Sequence, residues 1–97
     1  MNEKFFVNEY CMFYSINFEN LKIKAIYSFF VNKIYETEQV AFEISIDNKC
    51  YSMAVKLEEM LNRNVVNRLT DRTNIDFEDM YLCIEKLADK LCLVIGL

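Results

Sequence analysis

The sequence predicts an α+β domain: a four-stranded antiparallel β-meander followed by two α-helices packed on one face of the sheet. Three observations predict it. The first half alternates apolar and polar residues with period two. The second half changes to helical spacing. No Pro/Gly/Ser-rich linker, low-complexity tract or internal repeat divides the chain. Residues 1–97 therefore read as a single domain, mainly β over 1–56 and mainly α over 57–97.

The elements follow in order. From Glu9 to Glu19 the even positions Tyr10, Met12, Tyr14, Ile16 and Phe18 form one apolar face. Glu19-Asn20 is the expected turn. A second strand follows, with Leu21, Ile23, Ala25, Tyr27, Phe29 and Val31 on one face and Lys22, Lys24, Ile26, Ser28, Phe30 and Asn32 on the other. Tyr35–Gln39 is polar enough for a connection. The third strand sets Val40, Phe42, Ile44 and Ile46 against Ala41, Glu43, Ser45 and Asp47. Asp47-Asn48-Lys49 is the best turn in the chain, because Asp and Asn accept left-handed backbone geometry.

Cys50–Leu57 fits two patterns. Tyr51, Met53, Val55 and Leu57 alternate as a strand, while Cys50, Met53, Ala54, Leu57, Met60 and Leu61 fit a helical face. The preceding turn favours a strand first, with helix taking over near Lys56. Leu57, Met60, Leu61, Val65 and Leu69 then lie at helical spacing, and Thr70–Asn74 is expected to break that helix. Asp76 can cap the last helix, with Glu78 and Asp79 in its first turn, where negative charge suits the helix dipole. Phe77, Met80, Tyr81, Ile84, Leu87, Ala88 and Leu91 form its apolar stripe. Leu93–Leu97 reads as a fraying tail or a short further strand.

Composition excludes several functions. Histidine, the only side chain that ordinarily titrates near neutrality, is absent. The single glycine, Gly96, cannot make a phosphate-cradling loop, and no nucleophile elbow, dinucleotide fingerprint or zinc-protease motif occurs. With fifteen acids, a carboxylate pair of glycosidase type would arise by chance. The expectation is no enzyme: no catalytic residue, no cofactor and no metal. Cys11, Cys50, Cys83 and Cys92 form no C-x-x-C pair and read as small core hydrophobes in the reduced state.

The longest near-continuous apolar run, Leu91–Leu97, is seven residues, whereas a membrane span needs about 20. The first residues carry acids and break at Asn8, unlike a secretory signal. A cytoplasmic protein with no membrane partner is expected. Phe, Tyr, Met, Ile, Asn and Lys, all with A/T-rich codons, make up nearly half the chain. That points to a low-GC genome, such as a low-GC bacterium or its phage, and in the latter case to the host cytoplasm.

The partner reading starts from charge. At a net charge of −4 the chain repels phosphate. Arg63, Arg68 and Arg72 gather among Asn62, Asn64 and Asn67 in the best segment for nucleic-acid reading, but Asp71, Asp76, Glu78 and Asp79 follow at once. Direct nucleic-acid binding is therefore not expected. Glu78, Glu85 and Asp89 fall at i, i+7 and i+11, with Leu82 in the same row, and form a negative stripe opposite the apolar one. Asp79 extends it. Phe13 and Phe30, with Ile26, fall on the outward face of the first hairpin. At 54% hydrophobic, against about 45–50% usually, the chain has apolar surface to spare for a second chain.

Two functions follow. The first is a non-enzymatic protein-binding inhibitor from a phage or mobile element, blocking a host nucleic-acid-directed enzyme as anti-CRISPR or toxin-immunity proteins do. Its contact residues would be Glu78, Asp79, Glu85, Asp89, Phe13 and Phe30, set against a basic protein surface. The second is a small homodimeric structural or regulatory module without an enzyme target.

Overall fold

The computed structural model describes residues 2–18, 20–36 and 38–95, and for Phe18, Val94 and Ile95 the backbone alone. The sheet has five strands rather than four: β1 (Asn2–Val7), β2 (Cys11–Phe18), β3 (Leu21–Ser28), β4 (Gln39–Ile46) and β5 (Lys49–Lys56), in the spatial order β1-β2-β3-β4-β5. Every neighbouring pair is antiparallel. Among the described residues three α-helices accompany the sheet: α1 (Phe29–Tyr35), α2 (Arg63–Thr73) and α3 (Phe77–Ile95).

β1 is the strand missing from the sequence reading. Phe5-Phe6-Val7 is a run, not an alternation, and as an edge strand β1 is exposed nearly throughout. Period two has nothing to record there. The Asn8 side chain closes the β1–β2 turn, its Oδ1 accepting from the N–H groups of Tyr10 (2.7 Å) and Cys11 (2.9 Å). Tyr10, expected on the inner face, is 68% exposed in that turn. Glu19 of the next expected turn lies outside the described residues.

The third strand ends at Ser28, not Asn32. The Ser28 hydroxyl accepts from the Val31 N–H at 3.4 Å and caps α1. Phe30 therefore leaves the hairpin and stands on a helix. Buried Asn32 donates to the Gln39 carbonyl and accepts from the Gln39 N–H, at 3.1 and 2.8 Å, fastening α1 to the start of β4. Both amide atoms are satisfied, which is what permits their burial.

Cys50–Lys56 is strand. Asp47 and Asn48 both have positive φ, 47° and 66°, the pattern of the tight turn that matches strand twist. One turn of 3₁₀ helix, Leu57–Glu59, follows, and α2 begins only at Arg63, capped by Asn62 Oδ1 on the Asn64 N–H at 2.9 Å. The break expected over Thr70–Asn74 falls at the far end of that span. Thr70 and Thr73 turn their hydroxyls back to the carbonyls of Asn67 and Leu69, and the helix ends at left-handed Asn74. Leu93 to Ile95 continue α3, and residues 96–97 lie outside the described residues.

The core is one cluster between the inner sheet face and the two long helices. Met12, Ile16, Ile23, Val40, Phe42 and Ile44 meet Val66, Leu69, Met80, Ile84, Leu87 and Leu91. α3 packs on β2 and α2 beside α3. Leu69 and Arg72 of α2 stand with Phe42, Tyr51 and Met53, which sets α2 over β4 and β5. The outer face of the sheet carries neither of these helices.

Candidate functional site

α3 has three longitudinal strips. The buried strip holds Met80, Ile84, Leu87 and Leu91. One flank is tied to β1: Lys86 Nζ lies 3.7 Å from Glu3 Oε1, and Lys90 Nζ sits 5.4 Å above the Phe5 ring. Asp79 shares that flank. The solvent strip runs Glu78, Leu82, Glu85, Asp89, Leu93. Glu78 and Asp89 are exposed and Glu85 half-exposed. Leu82 and Leu93 are 56% and 78% exposed. At 1.5 Å rise per residue, Glu78 and Asp89 are about 16 Å apart along the axis. Among the described residues, none of these three carboxylates takes part in an ion pair.

The outer face of the sheet carries a second arrangement. The strand registers align Phe6, Phe13, Ile26, Ala41 and Ala54 in one row across all five strands. Phe6 and Phe13 stack with centroids 4.9 Å apart. The adjacent row is polar: Lys4, Ser15, Lys24, Glu43, Ser52, with Lys24 Nζ 3.6 Å from Glu43 Oε2. A third exposed apolar group lies on α1, where Phe30 is 69% exposed with Val31, Ile34 and Tyr35 beside it. The Phe29 N–H donates to the Tyr10 carbonyl at 3.0 Å, bringing the exposed Tyr10 to the same end.

The fold thus brings Glu78, Glu85 and Asp89 together, with Asp79 on the adjoining flank. It does not join Phe13 to them. α3 covers the inner face and Phe13 lies on the outer, so the sheet stands between. Phe30 belongs to α1. The acid stripe has apolar members of its own instead. Leu82 was legible in the row, and Leu93 was hidden because the helix was expected to end before it.

Two of the three arginines of α2 lie over aromatic rings. Arg63 stacks over Phe77 at 5.6 Å and Arg72 over Tyr51 at 5.3 Å, both from exposed positions. Among the described residues three titratable groups depart from their ordinary values, all upward. Burial, then the hydrogen bond and charge of Glu3, push the Tyr14 hydroxyl up. Burial and the Glu38 charge raise Tyr27, against a hydrogen bond from Asn32. Burial raises the Cys83 thiol, with Lys86 opposing and Asp79 reinforcing. Each shift disfavours the ionised form, the reverse of what activates a nucleophile. None of the four cysteines is in a disulfide, and Cys50 is exposed. Among the described residues no group of His, Cys, Asp and Glu side chains could hold a metal ion, and no helix is long and apolar enough to cross a membrane.

No family model, curated protein or solved structure matches this chain.

Proposed function

We propose that this chain is a non-enzymatic protein-binding inhibitor, encoded by a phage or mobile element of a low-GC bacterium, that blocks a host nucleic-acid-directed enzyme in the manner of anti-CRISPR or toxin-immunity proteins. The observation that carries the reading is the solvent strip of α3. Three carboxylates without ion-pair partners among the described residues share one face of a helix with two exposed leucines. A groove that holds nucleic acid is basic because it neutralises phosphate. A fixed line of carboxylates competes for such a groove, steering association, while Leu82 and Leu93 supply apolar contact. The mechanism is steric and electrostatic and needs no reacting group.

The test is the combined variant Glu78→Lys, Glu85→Lys and Asp89→Lys, assayed against a panel of purified CRISPR effector nucleases and toxin nucleases. Charge reversal removes attraction and adds repulsion. Inhibition by the wild type should be lost in the variant at low ionic strength, with the gap narrowing as salt rises. Equal association rates at low salt would remove the strip from the interface. The second reading, a self-associating module without an enzyme target, draws support from the uncovered row Phe6–Phe13–Ile26, and a wild type inert against the whole panel would favour it.

A further inference from the structure

The sheet ends in two edges, and their charges differ in kind. Along β1, Lys4 sits mid-strand, and α3 adds Lys86 beside Glu3 and Lys90 above Phe5. Since 86 and 90 follow 3 and 5 in the same sense, α3 runs with β1 and lays its lysines along that edge. Pairing β1 with a second copy about a two-fold axis would set these lysines against their own images. Lysine placed this way is a known guard against edge pairing.

β5 is built otherwise. Cys50–Val55 carries no charge, no glycine and no proline. Tyr51 and Met53 remain half-buried on the inner face. The two ends of the strand carry opposite charge. At the first, Lys49 and Lys22 line one open crevice, and Arg72 lies over the Tyr51 ring; Asp47 there already accepts from the Asn20 side chain at 3.0 Å. At the second, Glu36, Glu38 and Glu58 gather around Lys56. One end is basic and the other acidic.

We propose that the β5 edge is a self-complementary interface that pairs antiparallel with β5 of a second copy, joining two five-stranded sheets into one of ten strands. A two-fold axis normal to the sheet makes the pairing antiparallel by symmetry, which lays the basic end of each edge on the acidic end of the other. Directly opposite residues share a face, so the axis falls on a residue rather than between two. Centred on Met53, the register sets Tyr51 opposite Val55 of the second copy and Ser52 opposite Ala54. Lys49 then reaches Leu57 of the second copy and, next to it, Glu58. The unpaired backbone groups of β5 are satisfied, and Tyr51 and Met53 lose their remaining exposure on the inner side. Both α3 strips stay free on one side of the joined sheet, so this proposal stands apart from the reading of α3 as an inhibitory face.

Sedimentation equilibrium of the full chain over a range of concentration and salt tests it. A reversible dimer that weakens with salt is expected. Lys49→Glu and Glu58→Lys should each weaken it about tenfold, since each dimer holds the contact twice, and the double reversal should restore it. Both residues are exposed, and far-ultraviolet circular dichroism confirms the fold of each variant; should one fail to fold, the other carries the test. Phe13→Lys on the outer face and the triple α3 variant should both dimerise as the wild type does. A monomer at every concentration overturns the proposal. So does a dimer indifferent to both single reversals, or one abolished by Phe13→Lys.

Discussion

Two adjacent rows cross the same five strands one residue out of step. The inner row is Phe5, Tyr14, Ala25, Phe42 and Met53; the outer is Phe6, Phe13, Ile26, Ala41 and Ala54. Both are apolar throughout. On the inner row Phe42 and Ala25 have no exposed surface at all, whereas on the outer Phe6 remains 49% exposed. Apolar composition does not separate them; the helix layer does. The rows also differ in grading. Outer residues shrink from phenylalanine at β1 to alanine at β5, so the outer apolar surface is concentrated over β1–β3. The inner row keeps large residues at both ends because α3 covers one side and α2 the other.

The comparison breaks hardest at Phe42. Phe42→Ala should cost about 3–5 kcal/mol, because a fully enclosed ring leaves a cavity that the two helices cannot collapse. Urea denaturation measures it, and a loss below about 1 kcal/mol would mean that the helix layer does not seal the inner face. Phe13→Ala, its outer counterpart, should cost about 1 kcal/mol, from the stack on Phe6 and the contact with Ile26. A cost matching that of Phe42 would reveal a cover over the outer face. The smallest effect sits on the inner row and changes in alkali. Tyr14 has its pKa raised by burial and by Glu3, so its stabilising contribution is complete below the unfolded value near 10 and declines as pH climbs above it. Tyr14→Phe should cost under about 1 kcal/mol near neutral pH, for the lost hydrogen bond to Glu3, and lessen the fall beyond about pH 10 in pH-stepped urea melts. Identical alkaline slopes in the two proteins would place the titration elsewhere.

Legibility in the sequence followed the same division. Met12, Tyr14 and Ile16, Ile23 and Ala25, Phe42 and Ile44 alternate because one face is covered and the other is not, and they fall on the inner face as read. β1 left no such record, since an edge strand exposed nearly throughout has no reason to alternate. α1 hid inside an apparent strand. Phe29 and Val31 prolong the odd-numbered pattern of β3, and the residue that fixes the helix is Asn32, whose amide bonds to Gln39 leave no hydrophobic signature. The Cys50–Leu57 ambiguity turned on Asp47 and Asn48, whose side chains tolerate the left-handed backbone that a tight hairpin requires. On α3 the polar strip was legible from the 3.6-residue period alone. That Phe13 lies across the sheet from it was not, because periodicity assigns residues to faces of an element without ordering the layers.

In the sheet, spatial order equals chain order, and each strand lies beside the one made just before it. Every sheet contact can therefore form locally, with little loop-closure entropy and no wait for distant chain. The inner face is a different matter. Part of its lid comes late: α3 is the final described element, and it packs back on β2, more than half the chain away. During synthesis the meander can assemble early and then stand with Met12 and Ile16 of β2 facing water until α3 leaves the ribosome. The contact of longest sequence separation is the docking of that helix. Truncations within α3 should accordingly expose the inner face and leave the chain prone to aggregate, read as light scattering on refolding.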